Sequence, residues 1–239
     1  MTENIVRGSL FLDTRRMCSP IRPAPQIISI TQRFRPRRRR VERFIEQAYA
    51  CHYGSSIKNH YPTLMSVHDH EGRTLAAVGF RGAADEPLYL EHYLPAAIET
   101  MLGKALGRTV AREKIVEIGN LASDGQGASI FLYVTLAAYL RQQGYSHAAV
   151  TATRALRRAF RFMGVSPLEL GAADRRLLPD EGRSWGRYYA SDPQILAGGI
   201  AACFARIERY LPAAHNGGLD GLFSQLHYPV ENTPVESPQ

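Results

Sequence analysis

The residues best placed to do chemistry lie in VEIGNLASDGQGASIFLYVTLAAYL, residues 116–140. Glu117 is the carboxylate at the middle of a strand-like run, KIVEIGNL (114–121). Strand alternation puts Ile115, Glu117 and Gly119 on one face and Val116, Ile118 and Asn120 on the other. A carboxylate in an apolar cleft has a raised pKa and can accept a proton near neutrality, as a general base must. The same Glu could equally pair with an Arg at a sheet edge. SDGQGA (123–128) follows, ahead of a long apolar helix. Gly125 and Gly127 let backbone approach a ligand closely, and a helix start offers N–H groups to phosphate. Asp124 opposes phosphate, and a plain strand-to-helix turn accounts for the same residues.

Other polar groups weigh less. Glu91 and His92 in LEHYL are neighbours, an arrangement commoner on surfaces than in catalysis. His68, Asp69 and His70 in VHDHEG resemble metal ligands, but Asp and Gly also suit a hairpin turn. A metal site would need a further ligand that the sequence does not supply, so no metal is expected. Trp185, Tyr188 and Tyr189 read as core or cleft wall. Cys18, Cys51 and Cys203 are scattered, which argues against a disulfide framework and a cysteine-rich zinc site.

These groups need a scaffold, and 239 residues are enough for one substantial core. Apolar content of 45% and charged content of 21% are ordinary for a globular protein. No apolar run is long enough to span a bilayer. The first residues lack the basic-then-apolar layout of a signal peptide, so a cytoplasmic protein is expected. The net charge of +7 is concentrated early: residues 1–43 hold 11 Arg against 3 acids, whereas the remainder holds 18 Lys plus Arg against 19 acids. RFRPRRRRVERF (33–44) could meet nucleic acid or anionic lipid. Without an accompanying stacking pattern or nucleic-acid motif it reads better as a solvated arm, with peripheral membrane contact as a secondary role.

Three segments follow from composition and periodicity: a basic, Pro-containing arm (1–40), a folded domain (41–211) and a loose tail (212–239). The arm has room for one short strand at 25–30. Helices are expected at 41–53, 95–106, 127–144 and 153–164, and from about Ile195 onward. A hairpin is expected over 62–83, a short strand or loop at 87–94, and strands at 114–121, 146–153 and 166–170. The strands at 114–121 and 146–153 flank a buried helix and should form a right-handed parallel unit.

This order, with PLYLEHYL, VEIGNLAS, TATRALRRAF, RQQGYSHAAVTAT and WGRYYASDP, resembles the GNAT acyltransferase fold and, in more detail, the acyl-homoserine-lactone synthases. The best match is to the thermostable hemolysin family, over about 41–205. The resemblance implies an α/β (α+β) fold with a GNAT-like mixed central sheet flanked by helices. It implies acyl transfer from a thioester, acyl-CoA or phosphopantetheine-bound acyl carrier protein, to a small-molecule amine acceptor. In such folds the central strand splays from its neighbour, and a bulge at Gly119 would bring Glu117 and Asn120 to one side.

Carried over residue by residue, the resemblance makes Glu117, Asn120 and Glu91 candidate catalytic groups. It assigns Ile118, Gly119, Leu121, Ala122, Ser123, Gly125, Gln126, Gly127 and Ala128 to the thioester cofactor. It assigns His92, Tyr93, Thr151, Thr153, Phe160, Trp185, Tyr188 and Tyr189 to substrate. Two departures matter. The lactone synthases carry Arg where this chain has Asn120, and their S-adenosylmethionine pattern is absent, so the acceptor should be another amine. Phe160 stands where many GNAT enzymes have a Tyr acid, leaving Tyr188, Tyr189 or Tyr93 as substitutes. Arg154, Arg157, Arg158 and Arg161 could meet an acidic carrier protein. A membrane-active protein without enzymatic activity, as the family name suggests, is the alternative.

Overall fold

The computed structural model describes residues 27–33, 38–125, 128–210 and 226–227. An eight-stranded sheet is its centre, in the order β6-β7-β5-β4-β3-β2-β1-β8. The strands are β1 (Ile27–Gln32), β2 (Thr63–His68), β3 (Thr74–Gly82), β4 (Ile115–Ser123), β5 (His147–Ala152), β6 (Leu168–Ala172), β7 (Gln194–Gly199) and β8 (Leu226–His227). β4 and β5 run parallel, as do β1 and β8; the other neighbours are antiparallel. The helices are α1 (Arg38–Tyr53), α2 (Ile98–Leu106), α3 (Ala128–Gln142), α4 (Arg154–Phe162) and α5 (Ile200–Ile207). The mixed sheet flanked by helices is the GNAT-like architecture, and β4–α3–β5 is its parallel unit.

Strand alternation sorts the core into two layers. Val116 and Leu196 pack with α1, α3, α4 and α5. Ile115, Ile195 and Ala197 pack with α2 and the turn before it. α3 is apolar on nearly every side, and its residues from Ala128 to Leu140 are buried except Tyr133. Gly144 ends it with φ +83, its amide returning to Arg141 O and the Tyr145 amide to Leu140 O. Thr153 opens α4 by accepting the Leu156 amide.

Three local expectations change. Residues 194–199 form a strand, not the start of a helix: QILAGG inserts between β5 and β6, and the helix begins at Ile200. A strand buried on both faces shows no alternation, so it merges with the apolar helix that follows. Residues 89–93 form a 3-10 turn rather than a strand or loop. The short strand expected in the arm at 25–30 is present as β1, two residues further on, whereas α1 opens at Arg38 rather than at residue 41. Arg38 is buried, donating to the carbonyls of Tyr61 and Pro62 and pairing with Glu42. The rest of the arm, residues 1–26 and 34–37, and most of the tail lie outside the described residues.

Candidate active site

β4 and β5 pair from Ile115↔His147 to Ile118↔Val150 and no further. Beyond that point β4 pairs with β3 alone and β5 with β7 alone. The two strands therefore splay, and the edge of β4 from Gly119 onward faces a gap. A bulge enlarges the change of direction. Gly119 pairs with Gly79 and Ala122 with Ala77, so Asn120 and Leu121 oppose the single residue Val78. The extra residue is at Asn120–Leu121 rather than at Gly119, and Asn120 takes φ +48, the left-handed region that Asn tolerates.

Tyr61 fills the corner. Gly79 and Gly119 face each other across β3 and β4, and a Cβ on either would collide with the Tyr61 ring. The Tyr61 amide donates to Asn120 Oδ1 at 3.1 Å, and its hydroxyl lies beside the Glu117 carboxylate. Glu117 and Asn120 thus both meet Tyr61. Arg81 lies over the Tyr61 ring, 4.3 Å from the centroid, with its Nε 3.2 Å from Glu117 Oε2.

Glu117 is 1% exposed. Its carboxylate accepts the amides of Tyr89 at 2.9 Å and Leu90 at 2.8 Å. Burial raises its pKa, and the Arg81 charge, the two amides and the Tyr61 hydroxyl offset that only in part. Burial, followed by the nearby Glu117, pushes Tyr61 well above the usual phenol range. Tyr89 and Tyr93 are raised chiefly by burial too. The phenols of this corner therefore stay as neutral O–H groups.

Two cavities meet at the splay, sharing Ile118, Leu121, Val150 and Leu156. One, of about 330 Å³, is apolar and walled by Tyr133, Leu136 and Ala137 of α3, Phe160 of α4 and Cys203 of α5. Tyr133 escapes full burial because it faces this space. The other, of about 360 Å³, is aromatic and polar. In it Tyr93 and Tyr189 share a 2.6 Å hydroxyl contact, Trp185 Nε1 donates to the Tyr89 hydroxyl at 2.9 Å, and the Tyr188 hydroxyl donates to Thr151 O at 3.2 Å.

The expected site residues divide accordingly. Ile118, Gly119, Asn120, Leu121, Tyr93, Thr151, Thr153, Trp185, Tyr188 and Tyr189 line the polar cavity, and Phe160 lines the apolar one. Glu117 sits just behind Tyr61. Ala122 and Ser123 remain in the β3–β4 ladder, and Ser123 Oγ accepts the Gly125 amide at 3.2 Å. Gly125 has φ +85, and Ala128 is the buried first residue of α3. Gln126 and Gly127 lie outside the described residues. Glu91 and His92 line neither cavity. Glu91 is held by Arg112 at 2.7 Å and by the Ile98 amide at 2.9 Å, and Arg112 lowers its pKa. His92 is exposed, edge-on to Tyr89. His68 bonds to Ser66, while Asp69 takes the Glu71 and Arg73 amides of the hairpin turn.

Tyr61, Arg81, Tyr49 and Tyr133 were not legible as site residues. Only the facing glycines 79 and 119 hinted that a ring must cross the sheet there.

The sequence profile of the thermostable hemolysin family matches residues 31–204. The chain belongs to that family. Among curated proteins, no sequence matches. Solved structures do. FeeM, an N-acyl amino acid synthase from uncultured soil microbes, superposes with a TM-score of 0.52 at 11% identity, covering 79% of this chain and 99% of its own. The acyl-homoserine-lactone synthase LasI gives 0.50 at 14% identity, over 73% and 89%. BjaI, a CoA-dependent acyl-homoserine-lactone synthase solved with isopentyl-CoA, gives 0.50 at 11% identity, over 77% and 89%. This member of the thermostable hemolysin family therefore shares its fold with N-acyl-transferring synthases.

Proposed function

We propose that this chain is an N-acyltransferase that moves an acyl group, expected to be fatty, from an acyl-CoA or acyl-carrier-protein thioester to an amine. The observation that carries this reading is the β4–β5 splay with an apolar cavity on one side and a polar one on the other. Such a gap suits a thioester: the acyl chain in the apolar cavity against α3, the carbonyl beside the β4 edge at Gly119–Leu121, and the donor's phosphates near Ser123–Ala128. The N–H groups at the start of α3 favour anions, although Asp124 opposes them. The likeness in fold to FeeM, LasI and BjaI supports the same class of reaction. So does the CoA ligand of BjaI for the donor.

The amine nitrogen attacks the thioester carbonyl from the polar cavity, and backbone N–H groups of the splayed edge polarise the carbonyl oxygen. The attacking nitrogen gives its proton to Glu117 through the Tyr61 hydroxyl, which accepts one proton as it passes on another. The C–N bond forms, the C–S bond breaks and the thiolate leaves, taking a proton to end as a thiol. Its pKa, raised by burial, makes Glu117 a stronger base than an ordinary carboxylate. Arg158 and Arg161 are exposed on α4 without an ion-pair partner among the described residues, a surface for an acidic carrier protein. Arg157 pairs instead with Asp192 at 2.6 Å. A reaction drawing on either donor is expected in the cytoplasm. Lysis, the phenotype in the family name, would follow indirectly from a surfactant-like acyl-amine. No helix among the described residues is long and apolar enough to cross a membrane.

Native mass spectrometry of the purified protein with acyl-CoAs, acyl-carrier proteins and an amine mixture tests the proposal. Bound thioester and a new acyl-amide, both weakened by Glu117→Gln in a folded protein, support it. Neither binding nor product with any donor removes it, and vesicle leakage becomes the next assay.

A further inference from the structure

The polar cavity opens onto a wider basin of about 770 Å³, with Lys58, Asn59, Arg81 and Tyr89 in both walls. Arg33, Arg38 and Arg39 add to the basin, with Glu42 as its wall carboxylate. Most of these charges are engaged. Arg38 faces inward onto backbone carbonyls and Glu42. Arg39 pairs with Glu42 at 3.3 Å and Glu46 at 2.8 Å. Arg33 and Arg81 share Glu86 at 2.9 and 3.4 Å, and Arg81 also meets Glu117. Lys58 is exposed, has no ion-pair partner among the described residues, and stands where the two spaces join.

We propose that the acceptor amine carries a carboxylate of its own, which Lys58 holds at the mouth of the polar cavity while the amine reaches the splay. This rests on the acyl-transfer reading above and names its acceptor class. A simple alkylamine arrives as an ammonium ion, which the unpaired Lys58 charge repels. A zwitterionic amino acid has no net charge to repel and a carboxylate to place. Once it is seated, the Lys58 charge favours the neutral amine, which is the nucleophilic form. The lysine ammonium is a compact charge on a long flexible stem, suited to meeting a carboxylate at a cavity mouth.

The test supplies dodecanoyl-CoA with matched acceptors: leucine, leucinamide and isopentylamine, then phenylalanine, its amide and phenethylamine. The amino acids should be acylated with a kcat/KM higher by about ten-fold or more, the scale of a hydrogen bond to a charged group. That preference should collapse in Lys58→Gln and reverse in Lys58→Glu. Because Lys58 is exposed, both variants should melt as the wild type does. Amides and amines acylated as fast as the acids, or a preference surviving Lys58→Gln, would overturn the inference and leave acyl transfer standing. Repetition with phosphate-free dodecanoyl-pantetheine separates the two partners. If the Lys58 effect disappears with that donor, Lys58 serves the donor's phosphates and the inference falls. Absence of every acyl product removes the acyl-transfer reading itself.

Discussion

The Tyr61 hydroxyl lies beside the Glu117 carboxylate, and Tyr61 is the residue of that pair that lines the cavity. A carboxylate shut behind a phenol can act on a substrate only through it. Glu117→Gln should therefore lower kcat/KM by about 10² to 10⁴, the usual worth of a general base. Tyr61→Phe should share much of that loss. In the wild type the rate should rise with pH through an apparent pKa above the ordinary carboxylate range. A pH–rate profile of Glu117→Gln that keeps the same limb would assign the limb to another group.

The two glutamates of this region should affect stability with opposite pH dependence. Glu117 has a raised folded-state pKa, so its contribution is complete below the ordinary carboxylate range and lost as pH rises through the raised value. Glu91 has a lowered pKa, so its contribution is present above that range and lost as pH falls. Glu91→Gln should cost about 2 kcal/mol at neutral pH, as loss of a charged hydrogen-bond partner does. Thermal melts of both variants from acid to neutral pH read the two slopes.

Gly119→Ala should destabilise by about 1–3 kcal/mol, because the new methyl overlaps the Tyr61 ring and the chain must shift. Donor turnover should fall with it, since Tyr61 would leave the Glu117 carboxylate. Denaturant unfolding and a single-turnover assay check both halves.

Ala137 lies on α3 against the apolar cavity. Ala137→Phe should fill part of that space and move donor preference toward shorter acyl chains, while Phe160→Ala should move it toward longer ones. Competition among acyl-CoAs of graded length reads the shift. Unchanged preference in both variants would place the acyl chain elsewhere.

Much of this arrangement can be read before folding. The β4–α3–β5 unit shows in Glu117's strand, the all-round apolar helix and the strand at 146–153, since each keeps its own period. What was hidden depends on contacts distant in sequence. β7 carries no alternation, so QILAGG ran on into the helix after it. PLYLEHYL closes into a 3-10 turn because the Glu117 carboxylate gathers the Tyr89 and Leu90 amides. Lys58 and Tyr61 come from a connecting segment whose sequence has no period, and only the fold brings them to β4. Glu91 became a catalytic candidate only through the resemblance, and its partner Arg112 lies 21 residues away, beyond the reach of a local motif.

The most direct test is a crystal structure with a non-reactive dodecyl-CoA thioether. The account predicts its alkyl chain against Tyr133, Leu136 and Phe160, its sulfur at the splay beside Gly119–Leu121, and its phosphates by the start of α3. A thioether lodged away from the β4–β5 gap, with the apolar cavity left empty, would contradict it.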